Sequence, residues 1–314
     1  MRRAKRPNTF ELSKVTIASQ IPNPQSMLAI TGATGHLGRA TIHALLPKVA
    51  SSDIVALVRD PAKADDLRQL GVQLRQGDYN DPASLLAAFR GVEQVLLVST
   101  SELDDQIRTQ QHRHVIDAAR QAGVRQLVYT SVLNPSRASH FGGSASHLAT
   151  EEYLKASGLT YTVLRNTLYL DLVPTFAGAE SLPVETVYSA AADGKVSFVL
   201  REEIGQALAN VLTSAGHGNQ VYDIAPAPAY SMQDVANALG KIGGQPVAYV
   251  PITAEQMRAG MREHHVPGPV VDLMVGIVSA MRDNEFNATS NALEQLLGRK
   301  PTDLKTHLTR VYAN

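Results

Sequence analysis

Hydrophobic positions fall along this chain in short runs separated by longer amphipathic stretches. Runs of apolar or β-branched character recur at Leu28–Ile30, Ile54–Val58, Val72–Gln76, Val95–Val98, Leu127–Tyr129 and Thr160–Arg165. Each is too short for a helix and predicts a strand. Between them lie segments with helical signals. Pro61–Leu70 has proline in its first turn, and Asp81-Pro82 opens a helix to about Phe89. Gln106–Ala122 is stopped by Gly123, and Ser146–Ala156 is stopped by Gly158. Strands alternating with helices of this length predict an α/β fold, a doubly wound parallel sheet over residues 27–166.

Beyond Asn166 the pattern loosens into segments rich in proline and small residues. Helices are predicted at Arg201–Thr213, at Ser231–Leu239 behind a Ser-x-x-Asp box and at Thr253–Met261 behind Thr-x-x-Gln. Short strands fall at Val221–Ile224 and Val247–Val250. The expectation is a smaller C-terminal α/β lobe, residues 167–314, closing one side of a cleft, with 196–225 returning to the core.

In open parallel sheets, ligands bind outside the carboxyl ends of the strands. The loops there are Gly32–Gly38, Arg59–Lys63, Asp78-Tyr79, Ser99–Ser101, Thr130–His147 and Asn166–Leu170. The first is the most specific. Gly32, Gly35 and Gly38, spaced G-x-x-G-x-x-G, follow a strand and open an amphipathic helix. This is the start of a Rossmann-type dinucleotide-binding unit, in which backbone N–H groups and a helix N-terminus meet a pyrophosphate. Gly32, Thr34, Gly35, His36, Leu37 and Gly38 are the expected contacts. The second strand ends in Arg59, where an NAD protein carries an acid for the ribose; arginine suits a 2′-phosphate, with Lys63 helping. The expected cofactor is NADPH.

Composition narrows the partners. The 314 residues carry no net charge, which gives no sign of a nucleic-acid surface. There is no cysteine, so disulfides and thiol chemistry are excluded. No apolar run reaches the roughly twenty residues that span a bilayer. Neither membrane nor nucleic acid is an expected partner, and a cytoplasmic protein, with homodimerisation open, is expected. Residues 1–26 are basic and turn-rich without the apolar core of a secretory signal; they read as a disordered extension, or as sequence upstream of a natural start at Met27.

The chain from Met27 onward resembles the NmrA-like branch of the atypical short-chain dehydrogenase/reductases. Its nearest likeness is to the type 2 quinone oxidoreductase and triphenylmethane reductase group. The likeness rests on AITGATGHLG (Ala29–Gly38), VALVRDPAKA (Val55–Ala64), GDYNDPASL (Gly77–Leu85), GVEQVLLVS (Gly91–Ser99), AGVRQLVYTS (Ala122–Ser131), HLATEEYLKASGLTYTVLRN (His147–Asn166) and GHGNQVYDIA (Gly216–Ala225). The resemblance implies a two-lobed fold, NADPH in the cleft, and reduction of quinones or related electron-poor aromatics. It also implies adenine contacts from Asp78 and Tyr79, against the alternative of a simple Asx turn. Ser99, Thr100, Ser101, Thr130 and Asn166 complete the expected cofactor site.

The Tyr-x-x-x-Lys acid of ordinary short-chain dehydrogenases is absent: none of the ten tyrosines has a lysine four residues on, and Tyr161 has Arg165 instead. A quinone needs less help, since hydride addition gives a stabilised hydroquinone anion and orientation supplies much of the acceleration. His147 is the candidate catalytic residue. In isoflavone-reductase-like relatives a lysine holds this position; a histidine there either protonates the acceptor or only holds the ribose. No metal and no flavin are expected. His112 and His114 point to different helix faces, and His264-His265 lack a spaced carboxylate. Tyr169 and Phe176 suit either a pocket wall or the core. The alternative function is that of a non-catalytic, NADP(H)-sensing NmrA-like regulator.

Overall fold

The structure is a computed structural model describing residues 27–179 and 182–312; the extension expected over residues 1–26 lies outside them. Its strands are β1 (Met27–Ile30), β2 (Ile54–Val58), β3 (Gln73–Gln76), β4 (Val92–Leu97), β5 (Gln126–Val132), β6 (Thr160–Asn166), β7 (Thr186–Ser189), β8 (Lys195–Val196), β9 (Gln220–Ile224), β10 (Tyr230–Ser231) and β11 (Ala248–Pro251). Its helices are α1 (His36–Leu45), α2 (Asp65–Gln69), α3 (Pro82–Ala88), α4 (Asp105–Gln121), α5 (Ser144–Ala156), α6 (Val173–Phe176), α7 (Arg201–Thr213), α8 (Met232–Gly243), α9 (Ala254–Glu263), α10 (Gly268–Arg282), α11 (Ala292–Leu297) and α12 (Leu304–Tyr312).

Seven strands form one parallel sheet in the order β3-β2-β1-β4-β5-β6-β9. This is the doubly wound Rossmann-type α/β fold that the alternation predicts. One face of the sheet packs through Ile30, Ala56 and Leu96 against α1 and α7 residues such as Ile42 and Leu208. The other packs through Leu57, Val95 and Tyr129 against Phe89 just past α3, Ile116 of α4 and Leu154 of α5. Burial on both faces explains why β2 and β5 contain no exposed position.

The differences from the sequence reading have local causes. Pro61–Leu70 is not one helix. Asp60 caps a 3₁₀ turn at Pro61–Lys63, and Ala64 (φ −128°, ψ 32°) then breaks the chain so that its side chain enters the core. β5 runs on through Thr130–Val132, because buried Thr130 and Ser131, with Val132, keep their ladder to β6. β9 pairs with β6 from Thr162↔Gln220 to Asn166↔Ile224, so a strand from beyond Asn166 completes the sheet. A separate core gathers Val187, Phe198, Met232, Val235, Val278 and Phe286. There β7 pairs with β11, and β8 with β10. Both predicted capping boxes form, Ser231 with Asp234 and Thr253 with Gln256.

The two cores meet beside the carboxyl ends of the strands. Glu285 accepts from Ser139 Oγ and from the His140 N–H, which pins the β5–α5 loop to the segment after α10. At Gly205 of α7 a Cβ would sit 2.7 Å from the Ala40 carbonyl carbon, whereas at Gly260 of α9 nothing lies within 4 Å. Gly205→Ala should therefore destabilise by about 1–3 kcal/mol, the scale of overpacking. Gly260→Ala should stabilise by about 0.5–1 kcal/mol through helix propensity. Urea unfolding of both variants checks the pair, and equal shifts of one sign would contradict this packing.

Candidate active site

The site begins where β1 ends. Gly32 takes φ +58°, which a side chain would strain, and its carbonyl accepts from the Gly35 N–H at 2.9 Å. At Gly38 a Cβ would sit 2.3 Å from the Gly32 carbonyl oxygen, so only glycine lets α1 approach the turn. Helix α1 starts at His36 with no side chain capping it and no acid in its first turn. Its leading N–H groups face the carboxyl edge of the sheet, a ready anion site.

Two cavities meet along this edge and share Gly35, Val98 and Ser99–Ser101. The first, about 260 Å³, is also lined by Gly32, Thr34, Arg59, Asp78, Tyr79, Asn80 and Gln111. The second, about 400 Å³, is lined by His36, Leu37, Gly38, Arg108, Thr130, Phe141, His147, Asn166, Tyr169, Phe176, Arg201 and Ile277. Together they form one groove running from Arg59 past the start of α1 to His147. Gln111 Oε1 in the first cavity and Asn166 Oδ1 in the second are buried acceptors without a hydrogen-bond partner. A buried amide oxygen is costly to leave unpaired, so each marks a place for a donor.

The expected site residues are distributed unevenly. Lys63 is not on the groove wall; its side chain is 83 % exposed and lies 3.8 Å from Asp60. Tyr79 is on the wall, but its hydroxyl is engaged with Thr31 Oγ1 at 2.5 Å and the Val98 carbonyl at 2.8 Å. Burial pushes that phenol well above its usual range. Asp78 both lines the groove and accepts from the Asn80 N–H at 2.9 Å, so the Asx turn and the wall position coexist. Tyr161 and Arg165 form no dyad, because the Arg165 guanidinium turns to buried Glu151, Nη2 to Oε2 at 2.7 Å. Tyr169 and Phe176 line the second cavity, and Arg201 stacks over Tyr169 while paired with Asp171.

Behind the groove, α4, α5 and β5 enclose a chain of polar groups. His112 Nε2 accepts from the Thr100 N–H at 3.1 Å, so its Nδ1–H donates to Thr150 Oγ1 at 2.9 Å. His112 therefore holds the loop shared by both cavities. Burial, with the charge of Arg108, lowers its pKa to about 3. Arg108 Nη1 faces His147 Nε2 at 3.4 Å. A guanidinium only donates, so Nε2 accepts and Nδ1–H donates to Tyr129 Oη at 2.7 Å. Burial, then Arg108 and His112, hold His147 well below its ordinary pKa. Tyr129 is pushed upward by burial. Both imidazoles are neutral near pH 7, and Arg108 carries the charge.

Arg108, His112, Tyr129, Phe141 and Gln111 were not singled out for the site from sequence. A signal existed for three of them. On α4 the buried positions run Arg108, Gln111, His112, Val115, Ile116 and Ala119, so the inward stripe continues into polar residues at its N-terminal end.

Comparison with known proteins places these features in a family. The NmrA-like family model matches residues 24–312, and the chain belongs to that family. It is 37% identical over 287 residues to quinone oxidoreductase 2 of Escherichia coli, covering 91% of this chain and 99% of the relative. It is 32% identical over 273 residues to an NAD(P)H azoreductase of Xenophilus azovorans, covering 87% of this chain and 93% of that one. The triphenylmethane reductase of Citrobacter sp., solved with NADP(H), superposes with a TM-score of 0.85 at 35% identity, over 91% of this chain and 99% of that chain. Like these named oxidoreductases, the chain is an enzyme of the NAD(P)H-dependent reductase class. Among the described residues no cluster suits a metal ion, and no helix is long and apolar enough to cross a membrane.

The buried histidines set a stability slope. The folded pKa of His112 lies below its unfolded value of roughly 6.5, so below that pH the unfolded chain binds the extra proton. Stability is thus intact above about pH 7 and falls with pH toward about 3. At pH 5 the cost is roughly 2 kcal/mol for this one group. His112→Gln, although less stable at pH 7.5, should lose about that much less between pH 7.5 and 5. Urea titrations at both pH values decide it; parallel losses in the two proteins would contradict a neutral His112.

Proposed function

We propose that this chain is an NADPH-dependent reductase delivering hydride to quinones or similar electron-poor aromatic acceptors. One observation carries the reading: an uncapped helix N-terminus joins a cavity ending in Arg59 to an apolar-walled cavity containing His147. NADPH fits the donors present. The α1 N–H groups would hold the pyrophosphate, and Arg59 the 2′-phosphate. The two orphan acceptors match its two amino groups, Gln111 toward the adenine and Asn166 toward the carboxamide. When bound, NADPH supplies the hydride. The acceptor would lie beside it, among Phe141, Tyr169, Phe176 and Ile277. The relatives are named for quinone, azo and triphenylmethane reduction, all conjugated acceptors.

His147 acts in this scheme as a neutral group that orients Arg108 and Tyr129, and the proton that completes the product comes from water. NADPH consumption with a simple benzoquinone tests the reading against a sensing role, which predicts tight NADPH binding without turnover. Arg59→Ala should weaken NADPH by about 1.5–3 kcal/mol, the scale of a hydrogen bond to a charged group, and leave NADH almost unchanged. Isothermal titration with both dinucleotides checks this, and equal losses would reject Arg59 as the phosphate partner. Since His147 is already neutral, kcat should stay level from pH 8 to pH 6. An imidazolium donor of ordinary pKa would instead make kcat climb as pH falls through about 6.5.

A further inference from the structure

The second cavity holds a cation, Arg108, to which the reaction scheme above assigns no contact with the acceptor. Arg108 is only 8 % exposed, yet its guanidinium has no carboxylate within ion-pairing distance among the described residues. Its Nε and Nη2 donate to the Glu102 carbonyl oxygen at 3.0 and 2.7 Å, and Nη1 reaches His147 Nε2 at 3.4 Å. The Glu102 carboxylate is turned away, accepting from the Leu103 and Asp104 N–H groups at 2.8 and 3.2 Å. Gly143 makes the room: a Cβ there would lie 2.9 Å from Arg108 Nη1. The other arginine on this cavity, Arg201, is neutralised by Asp171.

Asp105 and Glu102 act on this guanidinium only from beyond ion-pairing distance, and a buried charge so weakly compensated is expensive and persists where a closer partner is supplied from elsewhere. We propose that Arg108 is an oxyanion site for the reacting acceptor, so that the enzyme takes substrates that become anionic on receiving hydride in preference to cationic dyes. The inference rests on the reductase reading above. A neutral quinone gains hydride, that is two electrons and one proton, while the reduced dinucleotide is oxidised. One oxygen of the quinone is left as the hydroquinone monoanion. That charge forms in a low-dielectric wall facing a fixed guanidinium, and a proton from water then completes the hydroquinone. A triarylmethane cation forms a C–H bond with the same hydride and loses its charge. For it, Arg108 offers no stabilisation and repels the ground state.

The two acceptor classes therefore respond to the same substitution in different ways. Arg108→Gln should lower kcat for a benzoquinone by about 10²-fold, the cost of removing one oxyanion donor. Turnover of a cationic triarylmethane dye should rise, so the quinone-to-dye ratio of kcat/KM falls by at least that factor. Arg108→Lys, which keeps the charge but not the fork, should recover part of the ratio. Binding to the wild-type protein gives a readout free of turnover and of any folding defect. 4-Nitrophenolate should bind at least ten times more tightly than its neutral methyl ether, 4-nitroanisole. An unchanged ratio in Arg108→Gln, or equal binding of the two probes by the wild type, overturns the oxyanion site. A wild-type protein that reduces neither acceptor overturns the reductase reading itself.

Discussion

The approach of Gly38 to the Gly32 carbonyl is the constraint on which the site depends. With 2.3 Å between that oxygen and any Cβ, helix α1 can start against the turn only because no side chain intervenes. That contact aims the uncapped end of α1 along the carboxyl edge of β1 and β4. It also brings Gly35 to the junction of the two cavities. A larger residue would lift the helix, and the groove would lose the donors that join its two halves.

A second constraint is electrostatic. The wall behind the groove is polar yet buried, so its groups are costly unless they are hydrogen-bonded. His112 meets this by holding the Thr100 N–H and Thr150. His147 meets it by bridging Arg108 and Tyr129. The charge of Arg108 helps keep both imidazoles neutral. The same arrangement that rigidifies the shared loop holds both imidazoles neutral and, in the scheme proposed above, leaves the Arg108 guanidinium to meet charge that develops on the acceptor. In that scheme the wall contributes through positioning and electrostatics.

The sheet was legible because burial on both faces writes near-continuous apolar runs, and β2 reproduces Ile54–Val58 residue for residue. The glycine turn was legible because Gly32 is demanded by its positive φ and Gly38 by close approach to the Gly32 carbonyl. The end of β5 is not legible, because Thr130 and Ser131 read as a loop by residue type, although the ladder to β6 and the Ser131–Glu151 bond make them part of the sheet. The split at Ala64 was invisible because a tertiary contact, not propensity, breaks the helix there. Lys63 lies near Arg59 in sequence, and the 3₁₀ turn sets its side chain beside Asp60 in solvent. Arg108 is not legible in the sequence, because an arginine in a polar first turn of a helix ordinarily faces water. Only packing against α5 and the 141–143 loop encloses it.

A crystal structure of the protein with NADP(H) and a quinone in place tests the central claim most directly, that one groove holds cofactor and acceptor side by side. The account predicts the pyrophosphate on the His36–Gly38 N–H groups and the carboxamide on Asn166. It predicts the acceptor carbonyl beside Arg108, with its reacting atom about 3–3.5 Å from the nicotinamide. A nicotinamide turned away from Asn166, or a quinone seated outside the cavity that Arg108 and His147 line, would contradict it.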